Sequence, residues 1–183
     1  MGKPSEQTIE IVARGIWIEN SKVLLCRNLA AGYSYFPGGH VEFGEPASLA
    51  LEREFAEECG ENIKAGRCLL TGETTFTQNR ARRHEFNIVF HVEPAPDSSA
   101  APPRATSAVP RPIRSLEPHI AFEWVPIAAL PSSTVLPKWL ADELPALIEQ
   151  LGRSTQAPPG GAIRDPHTKT CGTSVAWMSA IES

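Results

Sequence analysis

Glu54, Glu57 and Glu58 stand three and four residues apart. At about 100° per residue on a helix, they fall on one face of one turn. Three carboxylates so close repel one another by roughly a few tenths of a kcal/mol per pair even in water. Such a cluster persists at little cost only where the face is fully solvated or where a cation sits on it. Oxygen-only ligands favour Mg²⁺ or Mn²⁺ over zinc. Divalent ions on these side chains would offset negative charge on a substrate and lower the pKa of a bound water. The chemistry to which the cluster points is metal-assisted.

The frame around the cluster is specific. Gly39 is followed after five residues by Glu45, and after seven more by Arg53-Glu54-Phe55-Ala56-Glu57-Glu58-Cys59-Gly60-Glu61. This pattern resembles the Nudix box, with every fixed position filled except the last, where Glu61 stands in place of an apolar residue. The resemblance implies an α/β (mixed α+β) Nudix fold: a mixed β-sheet sandwiched between helices, with the box as a loop-helix-loop catalytic motif. It also implies a metal-dependent pyrophosphohydrolase that cleaves a nucleoside diphosphate linked to another moiety, with ADP-ribose-like and modified nucleotides both open. The cofactor would be Mg²⁺ or Mn²⁺, held by Glu54, Glu57 and Glu58, with the Gly38 carbonyl as a further ligand. Glu45 and Arg53 would form a scaffolding ion pair fixing the loop on the helix, with Gly39 and Gly60 as structural positions. An arginine fork suits that task because it grips a carboxylate in bidentate fashion.

The general base has several candidates. Family members place it within the box, at positions matching Glu54 or Glu57, or on a glutamate in a distant loop. Here Glu123 is the distant glutamate assigned to the catalytic set, while Glu117 and Glu85 remain alternatives. Arg27, at the end of the second strand, is placed by resemblance to meet a phosphate. Arg83, in a basic turn with Arg80 and Arg82, is a second substrate contact. Of the aromatic residues Trp17, Tyr33, Tyr35, Phe36, Phe76 and Trp124, one or two are expected to stack on a base, and Phe36 is assigned to substrate binding.

Elements must position these residues. Thr8 to Ile18 is rich in β-branched residues and ends at the turn Glu19-Asn20-Ser21-Lys22. Val23 to Cys26 continues as a second strand, giving a hairpin. Pro37-Gly38-Gly39 leads into a short strand, His40 to Phe43. Pro46 suits the first turn of a helix that ends at Gly60, with Leu49, Phe55, Ala56 and Cys59 turned away from the glutamates. Strand-like composition returns at Lys64 to Gln78, His84 to Val92 and Ile120 to Val125. Pro126 to Leu130 reads as a short helical turn, and Trp139 to Leu151 as an amphipathic helix, kinked or restarted at Pro145. Between these lies Pro94 to Pro118, with seven of the chain's seventeen prolines. This composition buries too little apolar area to offset ordering, so it reads as a mobile insertion. The domain is thus expected over residues 1–151, with the insertion at 94–118 and a flexible tail at 152–183.

Composition narrows the partners. The chain has 183 residues and 17 basic against 21 acidic side chains, a net charge of −4. That length supports one core of ordinary size, and that balance argues against a footprint for duplex nucleic acid. A small nucleotide substrate remains compatible, because a bound metal reverses the local sign. Cys26, Cys59, Cys68 and Cys171 lack metal-ligand spacing and read as reduced thiols. The N-terminus lacks the apolar core of a signal peptide, and no apolar run nears the ~20 residues of a spanning helix. A cytoplasmic protein without membrane contact is expected, with a homodimer left open. Two rival functions are a non-hydrolytic nucleotide-binding or sensing module of the same fold and a prenyl-diphosphate isomerase-like member. The isomerase needs a cysteine and glutamate pair outside the box that is not evident here.

Overall fold

The computed structural model describes residues 8–78, 81–96 and 110–154, with the side chains of 152–154 excluded. Strands β1 (Glu10–Glu19) and β2 (Lys22–Asn28) form the expected hairpin. Its turn residues Asn20 and Ser21 have φ of 51° and 60°, the left-handed geometry of a two-residue turn that matches strand twist. Strand β3 (Ser34–Tyr35), helix α1 (Ala47–Cys59), strands β4 (Ile63–Gln78), β5 (Ala81–Pro94) and β6 (Ile120–Pro126), a 3₁₀ turn (Ile127–Ser132), strand β7 (Val135–Leu136) and helix α2 (Lys138–Ser154) follow. The sheet is mixed: β1 runs parallel to β5 and antiparallel to β2, and the order is β4-β5-β1-β2-β3-β7, with β6 on the other edge of β2.

One discontinuity in this sheet creates the site. β1 pairs with β2 only at Ile18↔Val23 and Glu19↔Lys22, while the far end of β2 pairs with β3 at Cys26↔Tyr35 and Arg27↔Ser34. The first half of β1 is therefore left without β2, and its backbone groups need other partners. The segment after β3 supplies them. Gly15 N donates to Pro37 O at 2.8 Å, Ala13 N to Gly39 O at 2.9 Å and Val41 N to Ile11 O at 2.9 Å. The strand expected over His40 to Phe43 is reduced to a single bridge, Val12↔His40.

Each face of the sheet buries one helix. Ala13, Trp17, Leu24, Phe90 and Val92 meet Leu51, Phe55 and Cys59 of α1. Ile16, Val23, Leu25, Phe36 and Val89 meet Leu140, Ala141 and Leu144 of α2. Full burial of Leu51 and Phe55 stabilises the α1 contact by about 1.5–3 kcal/mol each. Pro46 stands just before α1, and Gly60 ends it in the left-handed region at φ 70°, where lack of a Cβ removes the steric cost. The buried face of α1 differs from the expected one. Leu49 and Ala56 are exposed, whereas Glu58 is buried beside Phe55 and Cys59. α2 continues through Pro145. Among the described residues no helix is long and apolar enough to cross a membrane.

The reading of 94–118 as one mobile insertion is revised for its last third. Residues 97–109 lie outside the described residues, as does the tail from 155. Residues 110–118 pack on the end of α1, where Pro110 and Ile113 are buried. Leu116 N donates to Glu58 O at 2.7 Å, and Trp124 Nε1 donates to Arg111 O at 2.8 Å. Composition failed here because a few long-range anchors outweigh a proline-rich average.

Gly15 shows how closely α1 sits on the sheet. A Cβ there would lie 2.8 Å from Phe55 Cε2 and 2.9 Å from Val92 Cγ2. Gly15→Ala should cost about 1–3 kcal/mol in urea denaturation, as other overpacked cores do. A loss below ~0.5 kcal/mol would mean that the helix is free to move away.

Candidate active site

The site is assembled around Arg53. Its Nε and Nη2 donate to the two oxygens of Glu45 at 3.0 and 3.1 Å, and Nη2 also donates to the His40 carbonyl at 3.1 Å. Nη1 donates to Glu54 Oε1 at 2.9 Å and Glu57 Oε2 at 3.2 Å. The guanidinium thus bridges the loop before α1 to two of the clustered carboxylates. Its hydrogen bonds to Glu45 hold that carboxyl below its ordinary range and push Arg53 upward.

Glycines let the loop come this close. Gly38 has φ 130°, and a Cβ there would stand 2.1 Å from Ala13 O. A Cβ on Gly39 would stand 2.3 Å from the Glu54 carboxyl carbon. Any side chain would separate the loop from β1 and α1.

The three box glutamates occupy different environments. Glu57 is largely exposed and Glu54 mostly covered. Glu58 is 8% exposed, and its Oε2 has no hydrogen-bond partner among the described residues. Burial, with the charges of Glu54 and Glu117, pushes the Glu58 carboxyl up to about 8. An orphaned, crowded carboxylate oxygen fits a cation, which would relieve both the desolvation and the repulsion. Among the described residues no three His, Cys, Asp or Glu side chains stand grouped to hold an ion, and Arg53 engages Glu54 and Glu57. By type, three carboxylates and a backbone carbonyl suit a hard divalent ion.

On the α2 side, a cleft of ≈ 510 Å³ is lined by Glu10, Arg14, Tyr33, Tyr35, Phe76, Arg83, Glu85 and Trp139, among others. A smaller cavity beside α2, also bordered by Trp139, lies against Leu69 and Leu147. Arg14 shares the face of Ile16 and donates to Asn87 Oδ1, Phe36 O and Glu85 Oε2 at 3.2–3.4 Å. Its guanidinium lies 5.8 Å from the Tyr35 ring centre. Arg83 donates to Glu10 Oε1 at 2.8 Å. Trp139 donates its indole N–H to Thr74 Oγ1 at 2.9 Å and lies against Gly72, where a Cβ would meet its ring at 2.6 Å.

The expected site residues therefore divide. Glu45, Arg53, Glu54, Glu57 and Gly39 come together, Glu58 feels the charges of Glu54 and Glu57, Gly38 lies against Ala13 O, and Gly60 closes the helix. Arg83 lines the cleft together with Tyr33, Tyr35, Phe76 and Glu85. Phe36 does not reach it: the ring is fully buried in the α2-side core, and its carbonyl serves Arg14. Arg27 is exposed on β2 and is not among the cleft residues. Glu123 lies on the α2 face of the sheet and not on the α1 face that carries the box carboxylates. It pairs with Leu25, which packs toward α2, while Phe122 and Trp124 pack toward α1. Its carboxylate accepts a hydrogen bond from Ser34 Oγ at 2.6 Å. Glu117 is instead the distant glutamate whose charge acts on Glu58, and it pairs with His119 at 3.0 Å. Trp17 and Trp124 belong to the core packing. Burial pushes the thiols of Cys26 and Cys59 up to about 12, so neither is a nucleophile.

Arg14 and Trp139 escaped the sequence reading. An arginine at the centre of an otherwise apolar strand is a signal for Arg14. Trp139 reads as the apolar face of a helix, and no local pattern brings it to Thr74.

Comparison with solved structures agrees with this layout. The E. coli ORF135 protein aligns over 87% of this chain and 100% of its own, with 21% identity and a TM-score of 0.54. The MutT protein of Methanosarcina mazei aligns over 83% and 99%, with 22% identity and a TM-score of 0.57. A NUDIX hydrolase from Nitrosomonas europaea aligns over 83% and 94%, with 19% identity and a TM-score of 0.53. At these identities the likeness speaks for the fold. No curated protein matches the sequence. The NUDIX domain model matches residues 10–150, so with its box intact at every charged position the chain belongs to the Nudix family.

Proposed function

We propose that the protein is a metal-dependent pyrophosphohydrolase acting on a nucleoside diphosphate linked to a second moiety. The observation that carries this reading is the orphaned, buried oxygen of Glu58 among the charges of Glu54 and Glu117, in a fold that also holds an aromatic and basic cleft. Glu54, Glu57 and Glu58, with the Gly38 carbonyl, would hold Mg²⁺ or Mn²⁺. When bound, the ion supplies neutralisation of the diphosphate and acidification of water.

The chain's own residues do the rest. Arg14 and Arg83 offer cations within the cleft, and Tyr33, Tyr35, Phe76 and Trp139 offer flat surfaces for a base. Glu57, exposed beside the cluster, and Glu117, whose charge acts on Glu58, would take the proton of an attacking water. Water adds to one phosphorus, the bridging P–O bond breaks, and the bridging oxygen leaves on the other phosphate. The products are a nucleoside monophosphate and the phosphorylated second moiety. Such a substrate belongs to the cytoplasm and needs neither duplex nucleic acid nor a membrane.

A panel of ADP-ribose-like and oxidised nucleotides, assayed with Mg²⁺ and with the nucleoside monophosphate product resolved by chromatography, tests the reading. Turnover should vanish with chelator and return with Mg²⁺ or Mn²⁺ but poorly with Zn²⁺. Glu57→Gln should lower kcat at least ~100-fold, comparable to losing one major electrostatic element in other active sites. Binding of nucleotides without turnover would favour a sensing module, and full turnover in excess chelator would remove the metal from the account.

The Glu58 environment makes a separate prediction for the metal-free protein. Its carboxyl binds a proton more tightly folded than unfolded, so the stability it contributes is present below about 4.5 and lost as pH rises through about 8. Glu58→Gln should flatten that decline, raising Tm relative to the parent at high pH and little at low pH. Parallel Tm–pH curves for the two proteins would show that Glu58 is not desolvated in solution.

A further inference from the structure

Position 61, just after the box helix, is where this chain departs from the family pattern, and the structure gives that departure a partner. Glu61 is 6% exposed, an unusual place for a carboxylate unless it is paired. Arg111 Nη2 donates to its Oε2 at 2.5 Å. Arg111 arrives from the chain returning out of the long excursion between β5 and β6, fifty residues away. Its carbonyl accepts the Trp124 indole N–H, so the residue is held on both its backbone and its side chain. Ile113 then enters the core with Trp17, Phe55 and Cys59. Leu116 N closes on Glu58 O, at 2.7 Å.

These contacts have one geometric outcome. They lay residues 111–116 along the end of α1 and set down the next residue, Glu117, directly after the Leu116 N–H that closes on the Glu58 carbonyl. Ser115 fixes the turn there: its Oγ accepts from Glu117 N at 3.1 Å and donates to Glu117 O at 2.8 Å. An apolar residue at position 61 would offer this strap only a non-directional contact. A buried carboxylate admits one register, because it is stable only with the guanidinium in place.

We propose that Glu61 and Arg111 are positioning residues: their ion pair sets the register of the 111–117 strap and thereby holds Glu117 beside the end of α1 that carries the cation-binding carboxylates. The inference rests on the reading of those carboxylates as a metal site and acts through Glu117, without either paired residue touching the ion. Removal of Arg111 leaves the Glu61 carboxylate buried and alone. It then turns outward, and the strap moves with it.

Mn²⁺ alone is a sufficient probe, titrated into the full-length protein and followed by the loss of the free-ion electron paramagnetic resonance signal. Glu117→Gln and Arg111→Met should each weaken Mn²⁺ binding by about tenfold, the effect of a supporting residue on a metal site. Their combination should be no weaker than the worse of the two, because Arg111 acts only through Glu117. Arg111→Lys, which keeps the charge, should recover most of the affinity. Glu61→Leu combined with Arg111→Met should restore Tm but not Mn²⁺ affinity, separating register from bulk stability. If Arg111→Met binds Mn²⁺ like the parent while Glu117→Gln does not, the positioning role is overturned and the Glu117 reading stands. Losses in the double variant that multiply to about a hundredfold would overturn it too. If Glu117→Gln itself binds like the parent, Glu117 is remote from the ion and both readings fall. Should Arg111→Met not fold, Glu61→Leu combined with Arg111→Met takes its place in the cycle with Glu117→Gln, and the same outcomes decide.

Discussion

The guanidinium of Arg53 is the constraint on which the site depends. A guanidinium has five N–H donors in a fixed plane, and here it reaches Glu45, the His40 carbonyl, Glu54 and Glu57. The loop through 40–45 closes a turn of its own, Glu45 N donating to Glu42 O at 3.1 Å, and bridges to β1, while this fork supplies its attachment to α1. Bidentate geometry matters more than charge. A flexible ammonium would gain similar attraction without fixing the loop's distance or angle.

From that anchor the remaining geometry follows. The loop lies close to α1 only because Gly39 leaves space for the Glu54 carboxyl, and close to β1 only because Gly38 leaves space for Ala13 O. β1 accepts the loop because β2 leaves it after the hairpin and pairs with β3 instead. This packing drives Glu58 into a buried position that its charge opposes, with the Glu58 carboxyl pushed up to about 8. A helix selected for stability alone would place an apolar residue there. Persistence of a carboxylate at such a position is the pattern expected where local stability yields to function. The same logic applies one turn later, where Glu61 is buried against Arg111.

The sequence revealed the box because its chemistry is local: spacing along one helix and one loop specifies which carboxylates meet. Helix ends were legible from Pro46 and Gly60, and the first hairpin from Asn20 and Ser21, since caps and turns are also local. Two-residue strands such as β3 and β7 carry no periodicity and escaped notice. β6 was legible only as a strand over Ile120 to Val125. Which of its faces looks toward α1 depends on pairing with β2, and that register puts Glu123 on the α2 face. The cleft was the least legible part. Arg14, Glu85 and Trp139 are separated by more than fifty residues each, and only sheet register and the docking of α2 unite them. Glu117 was obscured by the prolines around it, whose average composition hides the single anchors at Arg111 and Ile113.

The central claim is that Arg53 organises the loop and the carboxylates by geometry and not by charge. Arg53→Lys tests it most directly, because the substitution keeps the charge and removes the fork. The measurement is Tm together with Mn²⁺ affinity on the same sample. The account predicts a lower Tm and about tenfold weaker Mn²⁺ binding, the magnitude expected when support to a metal site is lost. A variant with both unchanged would show that a positive charge at position 53 is enough, and would contradict the account.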